Sequence, residues 1–146
     1  MKFEFSAGGV VFKKQDRKIS ILLAQHGQHH GWVFPKGIIG DTKKDESKEE
    51  TAVREVEEET GVVAKILEPL APVEYWYQWE KEKRKKTVYY FVMEYVSEDF
   101  SKRDDEMEAV EWLPIDDVAD RLTYPSDKKV WQVALRAINR RLKAKK

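Results

Sequence analysis

Residues 46–62 read ESKEETAVREVEEETGV, and their pattern predicts one helix with a defined start and end. Ser47 is followed three positions later by Glu50, a capping box that begins a helix. Gly61 after Thr60 is typical of a left-handed C-cap, which ends one. Between the caps runs a narrow apolar stripe that can pack against a sheet, formed by Ala52, Val53 and Val56.

The remaining faces of this helix are dense in carboxylates, which repel one another. Only Lys48 and Arg54 offset the acids within the helix. Glu55, Glu58 and Glu59 stand at i, i+3 and i+4, so their side chains converge on one face. Three oxygen donors on one rigid surface suit a divalent cation such as Mg²⁺. The competing interpretation is a solvated helix with internal salt bridges.

Composition limits the classes to which the chain can belong. Its 146 residues predict a single domain, residues 1–146. Lys plus Arg and Asp plus Glu each number 27, and this zero net charge does not indicate a general affinity for nucleic acid. The absence of cysteine excludes disulfides and thiolate metal sites. No signal peptide or stretch long enough to span a bilayer is found, so we expect a cytoplasmic protein without a membrane partner.

Strands dominate the rest of the chain. Alternating or β-branched patterns predict strands at 3–12, 18–24, 32–34, 62–67, 74–79, 87–96 and 109–113. A charged turn at 80–86 is predicted to join an antiparallel pair, and a polar loop to precede Glu46. A short helix is predicted at 115–122 and an amphipathic helix at 127–143, with an apolar stripe of Val130, Val133, Ala134, Ala137 and Ile138. This order favours an α/β fold in which helices cover a mixed β-sheet.

The acidic segment resembles the signature of the Nudix hydrolase family. That signature is Gly, five residues, Glu, seven residues, then Arg-Glu-apolar-any-Glu-Glu-any-Gly-apolar. Over residues 40–62 the chain supplies every fixed position, namely Gly40, Glu46, Arg54, Glu55, Val56, Glu58, Glu59, Gly61 and Val62. The resemblance implies a Nudix-type α/β/α sandwich. It also implies hydrolysis of a nucleoside diphosphate linked to another moiety.

The resemblance assigns roles position by position. Glu55, Glu58 and Glu59 would bind one or more Mg²⁺ or Mn²⁺ ions. Arg54 would hold the carboxylates in place, with Glu46 as its structural anchor, and Glu58, Glu55 and Arg54 would be the catalytic residues of the helix. Metal ions would neutralise phosphoryl oxygens and lower the pKa of a bound water. That water would displace a phosphate chain in line.

The loop before the helix departs from the family pattern. In the family, the signature glycine usually comes just after a Trp-x-x-Pro segment. Here residues 32–35 form that segment and Gly37 follows it after one residue. Gly37 nevertheless lies three residues too early for the spacing between the signature glycine and Glu46. Either Gly40 takes the role, or Gly37 does and the loop is longer. The continuous Pro-Lys-Gly strand ending favours Gly37. A backbone carbonyl near this turn is expected as a further metal ligand.

Two more residues are candidates through the same resemblance. Related dinucleoside polyphosphate hydrolases carry a Glu six residues before a Trp, which indicates Glu106 before Trp112 as a catalytic base. Asp105 and Glu108 are close enough to compete, and a solvated turn would account for all three equally well. Lys36 resembles the lysine of diadenosine polyphosphate and diphosphoinositol polyphosphate hydrolases, and is a candidate phosphate contact.

Aromatic residues supply candidates for nucleobase binding. Residues 75, 77 and 79 share one strand face, which either packs in the core or stacks on a base, and Tyr77 is the substrate-binding candidate. Tyr124, just before the last helix, is a second stacking candidate. The basic run 81–86 is either a solvated hairpin tip or a clamp for polyphosphate or an RNA 5′ end. His26, His29 and His30 lack the spacing of a zinc site and are interpreted as loop residues, with phosphate contact as the alternative.

The leading hypothesis is a Mg²⁺-dependent pyrophosphohydrolase of nucleoside polyphosphates, most of all dinucleoside polyphosphates such as diadenosine tetraphosphate, or nucleoside triphosphates. Diphosphoinositol polyphosphate and RNA 5′ ends are alternative substrates, and other nucleic acid is not expected. A nucleotide-sensing Nudix-like regulatory module is the non-enzymatic alternative. Such modules commonly lose helix carboxylates, whereas this chain keeps them. A monomer and a homodimer are both compatible with the sequence.

Overall fold

A parallel pair of long strands forms the centre of the fold. The structure is a computed structural model, which describes residues 2–40 and 44–144. β1 (Lys2–Gln15) pairs with β7 (Glu82–Glu98) from Lys2 opposite Arg84 to Phe12 opposite Glu94. Within the described residues, eight strands make one mixed sheet. The others are β2 (Lys18–His26), β3 (Trp32–Val33), β4 (Lys36–Ile38), β5 (Val62–Pro69), β6 (Val73–Trp79) and β8 (Met107–Pro114).

The remaining strands extend this pair on both sides. β2 is antiparallel to β1, and both β3 and β8 pair with β2. On the other side, β6 pairs with the first half of β7 and β5 with its second half, both antiparallel. β4 pairs with β1 at residues 6–8. β4 precedes the first helix in the chain. Of the signature segment 40–62, residues 41–43 lie outside the described part of the chain.

Helices cover both faces of the sheet, so the predicted α/β/α sandwich is confirmed. α1 (Lys48–Thr60) packs its Ala52 and Val56 on one face, with Ala7 and Val11 of β1. α3 (Pro125–Ala144) and the short α2 (Val118–Arg121) pack on the other, with Val10 and Phe12. Successive β1 residues thus enter opposite cores, as the strand period requires. No helix in residues 2–40 and 44–144 is long and apolar enough to cross a membrane.

The caps of α1 are those that the sequence predicts. The Glu50 backbone N–H donates to Ser47 Oγ at 3.0 Å, and the Ser47 N–H donates to Glu50 Oε1 at 3.1 Å. Gly61 adopts φ +79° and its N–H donates to the Glu57 carbonyl at 2.8 Å. The helix therefore begins and ends where local hydrogen bonding satisfies its backbone.

Three predictions of local structure were wrong. The turn is confined to Glu80 and Lys81, both with positive φ, because residues from 82 onward pair with β6 and those from 84 onward pair with β1 as well. No strand is predicted at β4, where Lys36 and Gly37 are expected to end the preceding apolar segment and Ile38 to begin the loop, because three residues with one glycine give no strand signal. In α3, Val133 is predicted in the apolar stripe but faces solvent and is 39% exposed, whereas Trp131 is buried. The face of the helix that packs on the sheet consists of residues 130, 131, 134, 137 and 138.

Candidate active site

The end of α1, strand β4, the start of β7 and the loop before β8 surround a cavity of about 460 Å³. We call it the acidic cavity, because five carboxylates line it, those of Glu55, Glu58, Glu59, Asp104 and Glu106. The ammonium groups of Lys36 and Lys86 line it as well, as does Gly37. The structure therefore gathers the predicted helix carboxylates, Gly37, Lys36 and Glu106 at one place.

Arg54 organises the helix carboxylates. Its Nε and Nη2 donate to both oxygens of Glu46, at 2.8 and 2.9 Å. Its Nη1 donates to Glu55 Oε1 and to Glu58 Oε2, each at 2.9 Å. The Glu46 side chain is only 3% exposed and also accepts from the Thr51 hydroxyl. The predicted anchoring of Arg54 by Glu46 is present, and a bidentate contact of this kind fixes the guanidinium plane.

Two of the carboxylates, those of Glu55 and Glu59, are buried, and their burial removes water that would stabilise the charged form. Glu59 is 1% exposed, and its Oε1 accepts from the Lys36 backbone N–H at 3.2 Å. Burial, with the nearby charges of Glu106 and Glu55, raises the pKa of Glu59 to about 9. Burial also raises the pKa of Glu55 to about 7, against the opposing charge of Arg54. Carboxylates held together in this way favour a proton or an added cation.

Gly37 permits the close approach of β4 to α1. A Cβ built at this position would overlap the carboxylate of Glu55, so only glycine lets that side chain lie against the β4 backbone. Gly40 has φ +79°, and a Cβ built there would meet nothing within 4 Å. Gly40 does not line the acidic cavity. Of the two alternatives left open by the signature spacing, the structure brings Gly37 to the carboxylates.

The chemistry of this donor set fits a hard divalent cation. Carboxylates on one helix face a glycine backbone across a polar cavity, and oxygen ligands of this kind suit Mg²⁺ or Mn²⁺. As the side chains stand, the described ranges contain no group of three His, Cys, Asp or Glu that could hold a metal ion. Arg54 engages Glu55 and Glu58, and the Lys36 N–H engages Glu59. A cation would therefore require these carboxylates to exchange partners.

We expect metal and pH to affect stability together. The pKa values of Glu55 and Glu59 are raised, so the folded state binds more protons than the unfolded chain between about pH 4.5 and about pH 9. The free energy of unfolding in EDTA should therefore fall as pH rises across that window. Mg²⁺ that binds only the folded state should raise Tm, and should do so more at about pH 9 than at about pH 6, since ligands must lose their protons. Thermal melts at both pH values with and without Mg²⁺ measure this. An unchanged Tm at millimolar Mg²⁺ would count against the site.

The loop before β8 is hydrogen-bonded to α1 and to the first residue after β2. The Asp104 N–H donates to the Glu58 carbonyl at 2.6 Å, and the Gly27 N–H donates to the Glu106 carbonyl at 3.0 Å. Glu106 lines the acidic cavity, whereas Asp105 and Glu108 do not. Among the three candidate bases, the geometry therefore favours Glu106.

A second cavity of about 550 Å³ adjoins the first and shares His29, Val33 and Lys36 with it. We call it the aromatic cavity, because its walls include Tyr75, Tyr90 and Tyr124. Asp127 also lines it and is 6% exposed, with the Tyr90 hydroxyl donating to its Oδ1 at 3.3 Å. Burial raises the pKa of Asp127 to about 6. An aromatic slot with one buried acceptor is suited to a flat ring that carries N–H donors.

The substrate-binding candidates fall differently around these cavities. Lys36 lines both, and Tyr124 lines the aromatic cavity. Tyr77 is not among the residues that line either, and its hydroxyl donates to Glu4 instead. Tyr75 precedes it by two positions on the same strand face and lines the aromatic cavity. The aromatic alternation thus identified the correct face, but the structure does not bring Tyr77 to a cavity.

Lys86 and Asp127 are among the lining residues that sequence reasoning missed. Lys86 was assigned to the hairpin turn, yet it lies in β7, where it is half-buried. Burial and the nearby charge of Lys36 lower the pKa of Lys86. An alternation of two, applied to residues 82–90 as a strand, would have placed Lys86 on the same face as Tyr90. No local pattern marks Asp127, which lies in the first turn of a helix where acids are common.

Comparisons with known proteins show what this chain is similar to. The family model for the NUDIX domain matches residues 2–133. A protein of Mycobacterium tuberculosis named as a mutator protein, MutT4, is 32% identical over 137 residues, which cover 90% of this chain and 54% of that protein. The asymmetrical bis(5'-nucleosyl)-tetraphosphatase of Rattus norvegicus is 33% identical over 113 residues, covering 77% of this chain and 74% of the rat enzyme.

The chain spans between 32% and 54% of the length of the first three curated relatives that it matches. Among solved structures, the NUDIX domain of Shewanella oneidensis NrtR, in complex with ADP ribose, matches with a TM-score of 0.74 at 24% identity. The match covers 94% of this chain and 90% of that one. At this level of identity, the likeness establishes the fold.

Proposed function

This chain belongs to the NUDIX family, and from that premise we propose that it is a Mg²⁺- or Mn²⁺-dependent pyrophosphohydrolase of nucleoside polyphosphates. We propose dinucleoside polyphosphates such as diadenosine tetraphosphate, or nucleoside triphosphates, as its substrates. A relative named as a tetraphosphatase supports an enzyme and this substrate class. We further propose that residues 1–146 act as a single catalytic domain.

The observation that carries this proposal is the adjacency of the two cavities. A polyphosphate in the acidic cavity would place an attached nucleoside in the aromatic cavity, because Lys36 and His29 line both. The base would stack against Tyr75 or Tyr124. The buried Asp127 carboxylate would accept a hydrogen bond from an N–H of the base. Inositol pyrophosphates offer no flat ring for such a slot, which favours a nucleotide over that alternative.

The acidic cavity supplies the means for hydrolysis. Glu55, Glu58, Glu59 and the Gly37 backbone would hold the cation, which supplies charge neutralisation at the phosphoryl oxygens and a more acidic water. Arg54 keeps the carboxylates in place through its contact with Glu46. The Glu106 carboxylate would accept the proton of the attacking water. The oxygen of that water would form a bond to phosphorus while the bond between phosphorus and the bridging oxygen breaks. Lys36 and Lys86 would contact the phosphate chain.

A substrate panel with product identification tests this function. We expect diadenosine tetraphosphate to give ATP and AMP in the presence of Mg²⁺, and a nucleoside triphosphate to give pyrophosphate and the monophosphate more slowly. Chelation by EDTA should abolish both reactions, because the carboxylates alone cannot neutralise phosphate. Inorganic phosphate released from an inositol pyrophosphate, with no turnover of nucleotides, would contradict the proposal. Nucleotide binding without turnover would identify a sensing module instead.

A further inference from the structure

The two cavities are joined by a pair of stacked histidines. The rings of His26 and His29 have centroids 4.2 Å apart and are inclined by only 8°. His26 is the last residue of β2 and lines the acidic cavity, while His29 lines both cavities. We call this pair the histidine stack. The family signature and the proposed chemistry assign it no role.

Backbone hydrogen bonds determine which nitrogen of His26 carries a proton. The Gln28 N–H donates to His26 Nδ1 at 3.1 Å, so Nδ1 is an acceptor and the proton of the neutral ring is on Nε2. That Nε2 stands 3.5 Å from Glu106 Oε1. Contacts of catalytic groups are often this long before substrate binds and shorten afterwards. The one N–H donor of the His26 ring therefore lies next to the carboxylate that we assign as the catalytic base, at a distance longer than that of a formed hydrogen bond.

The ring of His29 is fixed in the same way, but it is directed at the other cavity. The Gly31 N–H donates to His29 Nδ1 at 3.0 Å, and the Tyr124 hydroxyl lies 2.7 Å from the same nitrogen. A neutral ring has one lone pair at Nδ1, and the Gly31 N–H donates to it, so the Tyr124 hydroxyl contacts this nitrogen as a donor only by sharing that lone pair. Desolvation, together with the nearby charge of Lys36, lowers the pKa of His29, which favours the neutral ring. The histidine stack thus ends at Tyr124, which is the proposed contact of the substrate's nucleobase.

The loop that carries both rings is closed by its own backbone. The His26 N–H donates to the Gly31 carbonyl at 3.0 Å, and the His30 N–H donates to the His26 carbonyl at 2.9 Å. Gly31 has no room for a side chain, since a Cβ there would stand 2.7 Å from Tyr124 Cε2 and 2.9 Å from His29 Nδ1. Contacts therefore run without a gap from Tyr124 to His29, and through the stack to His26.

We propose that His26 is a positioning residue for Glu106, and that the histidine stack couples occupation of the aromatic cavity at Tyr124 to the placement of the Glu106 carboxylate. The inference rests on the proposed function, because it takes Glu106 as the base and the aromatic cavity as the nucleoside site. It adds a reason for substrate choice. A substrate whose nucleoside fills the aromatic cavity would also order the group that accepts the proton of water.

Substitution of His26 tests the positioning role, with diadenosine tetraphosphate and Mg²⁺. His26→Leu removes the donor and should lower kcat roughly tenfold or more with KM changed by less than about twofold, because only the placement of the base is lost. His26→Gln keeps an N–H donor near the place of Nε2 and should recover most of that loss. The matched control is His30→Leu, which removes the contact between His30 Nδ1 and Glu108 Oε1 at 2.6 Å, outside both cavities.

A double-mutant comparison separates positioning from general damage to the loop. In a Glu106→Gln background, His26→Leu should lower kcat by less than about twofold further, since its target is already gone. A His26→Leu enzyme as active as His30→Leu would overturn the positioning role. An undiminished effect in the Glu106→Gln background would overturn it as well.

A spectroscopic experiment tests the coupling without turnover. Imidazole ¹⁵N–¹H spectra in EDTA should show His26 and His29 protonated on Nε2, and addition of AMP should shift the signals of both rings. In His29→Leu, AMP should bind without shifting the His26 signal. AMP binding to the wild-type protein with no change at His26 would overturn the coupling alone. A protein that binds no AMP would contradict the proposed function, and with it this inference.

Discussion

Replacement of Glu58 by glutamine is expected to lower kcat on the order of a thousandfold, the loss typical of removing one preorganised electrostatic contact from an active site. The side chain of Glu58 lines the acidic cavity and is 39% exposed, so its charge is directed at the cavity and is not buried in the core. The fold should survive. Arg54 keeps both of its contacts with Glu46, and the amide oxygen of glutamine can still accept from Arg54.

The matched control is Glu57→Gln. Glu57 precedes Glu58 on the same helix, yet it does not line the acidic cavity. Both variants remove one negative charge from α1, so any general effect of charge should appear in both. We expect Glu57→Gln to keep kcat within about twofold of the wild type, since it removes nothing that acts in the transition state. Steady-state kinetics with Mg²⁺ and thermal melts of both variants measure the difference. Near-normal turnover by Glu58→Gln would remove Glu58 from the metal site.

Replacement of Gly37 by alanine is expected to have the second largest effect, a fall in kcat of roughly a hundredfold at almost unchanged stability. The new Cβ would overlap the carboxylate of Glu55, which is the far end of a flexible side chain. That carboxylate can move away at little cost to the fold. Because Arg54 Nη1 holds Glu55 and Glu58 together, its movement would disturb the arrangement of both donors.

Gly40→Ala provides the opposite pattern and decides which glycine belongs to the site. Its Cβ meets open space, but its φ of +79° suits glycine, so alanine should cost about 1 kcal/mol of stability. Its turnover should be unchanged, because Gly40 does not line the acidic cavity. Kinetics and melting of the two variants side by side give the answer. Loss of turnover in Gly40→Ala, with Gly37→Ala active, would reverse our assignment of the loop ligand.

Features that depend on neighbouring residues could be predicted from the sequence. The capping box at Ser47, the C-cap at Gly61 and the spacing of the three helix carboxylates are all set within four or five positions, and the structure shows the caps as predicted. The anchoring of Arg54 by Glu46 followed from the family signature. Local hydrogen bonding and helix geometry decide such features, and both are encoded in the order of residues.

Features that depend on pairing across the fold could not be predicted. The first part of β7 is a run of basic residues with low strand propensity, and its two neighbouring strands impose the extended conformation. Lys86 reached the acidic cavity only through that pairing. The aromatic cavity draws its wall from β6, β7 and α3, and from the loop after β2, so no single window of sequence describes it.

The parallel pairing of β1 with β7 also has a consequence for the order in which the protein is built. Lys2 lies opposite Arg84, so the central ladder requires most of the chain to be present before it can close. Such separations give a high contact order, and the closure entropy of the intervening chain slows folding. The helix with the carboxylates lies between these strands and can form through local contacts. Lys86 lies in β7 and reaches the acidic cavity only when the ladder closes, so we expect the carboxylates of the helix to be ordered before the lysine cation that faces them.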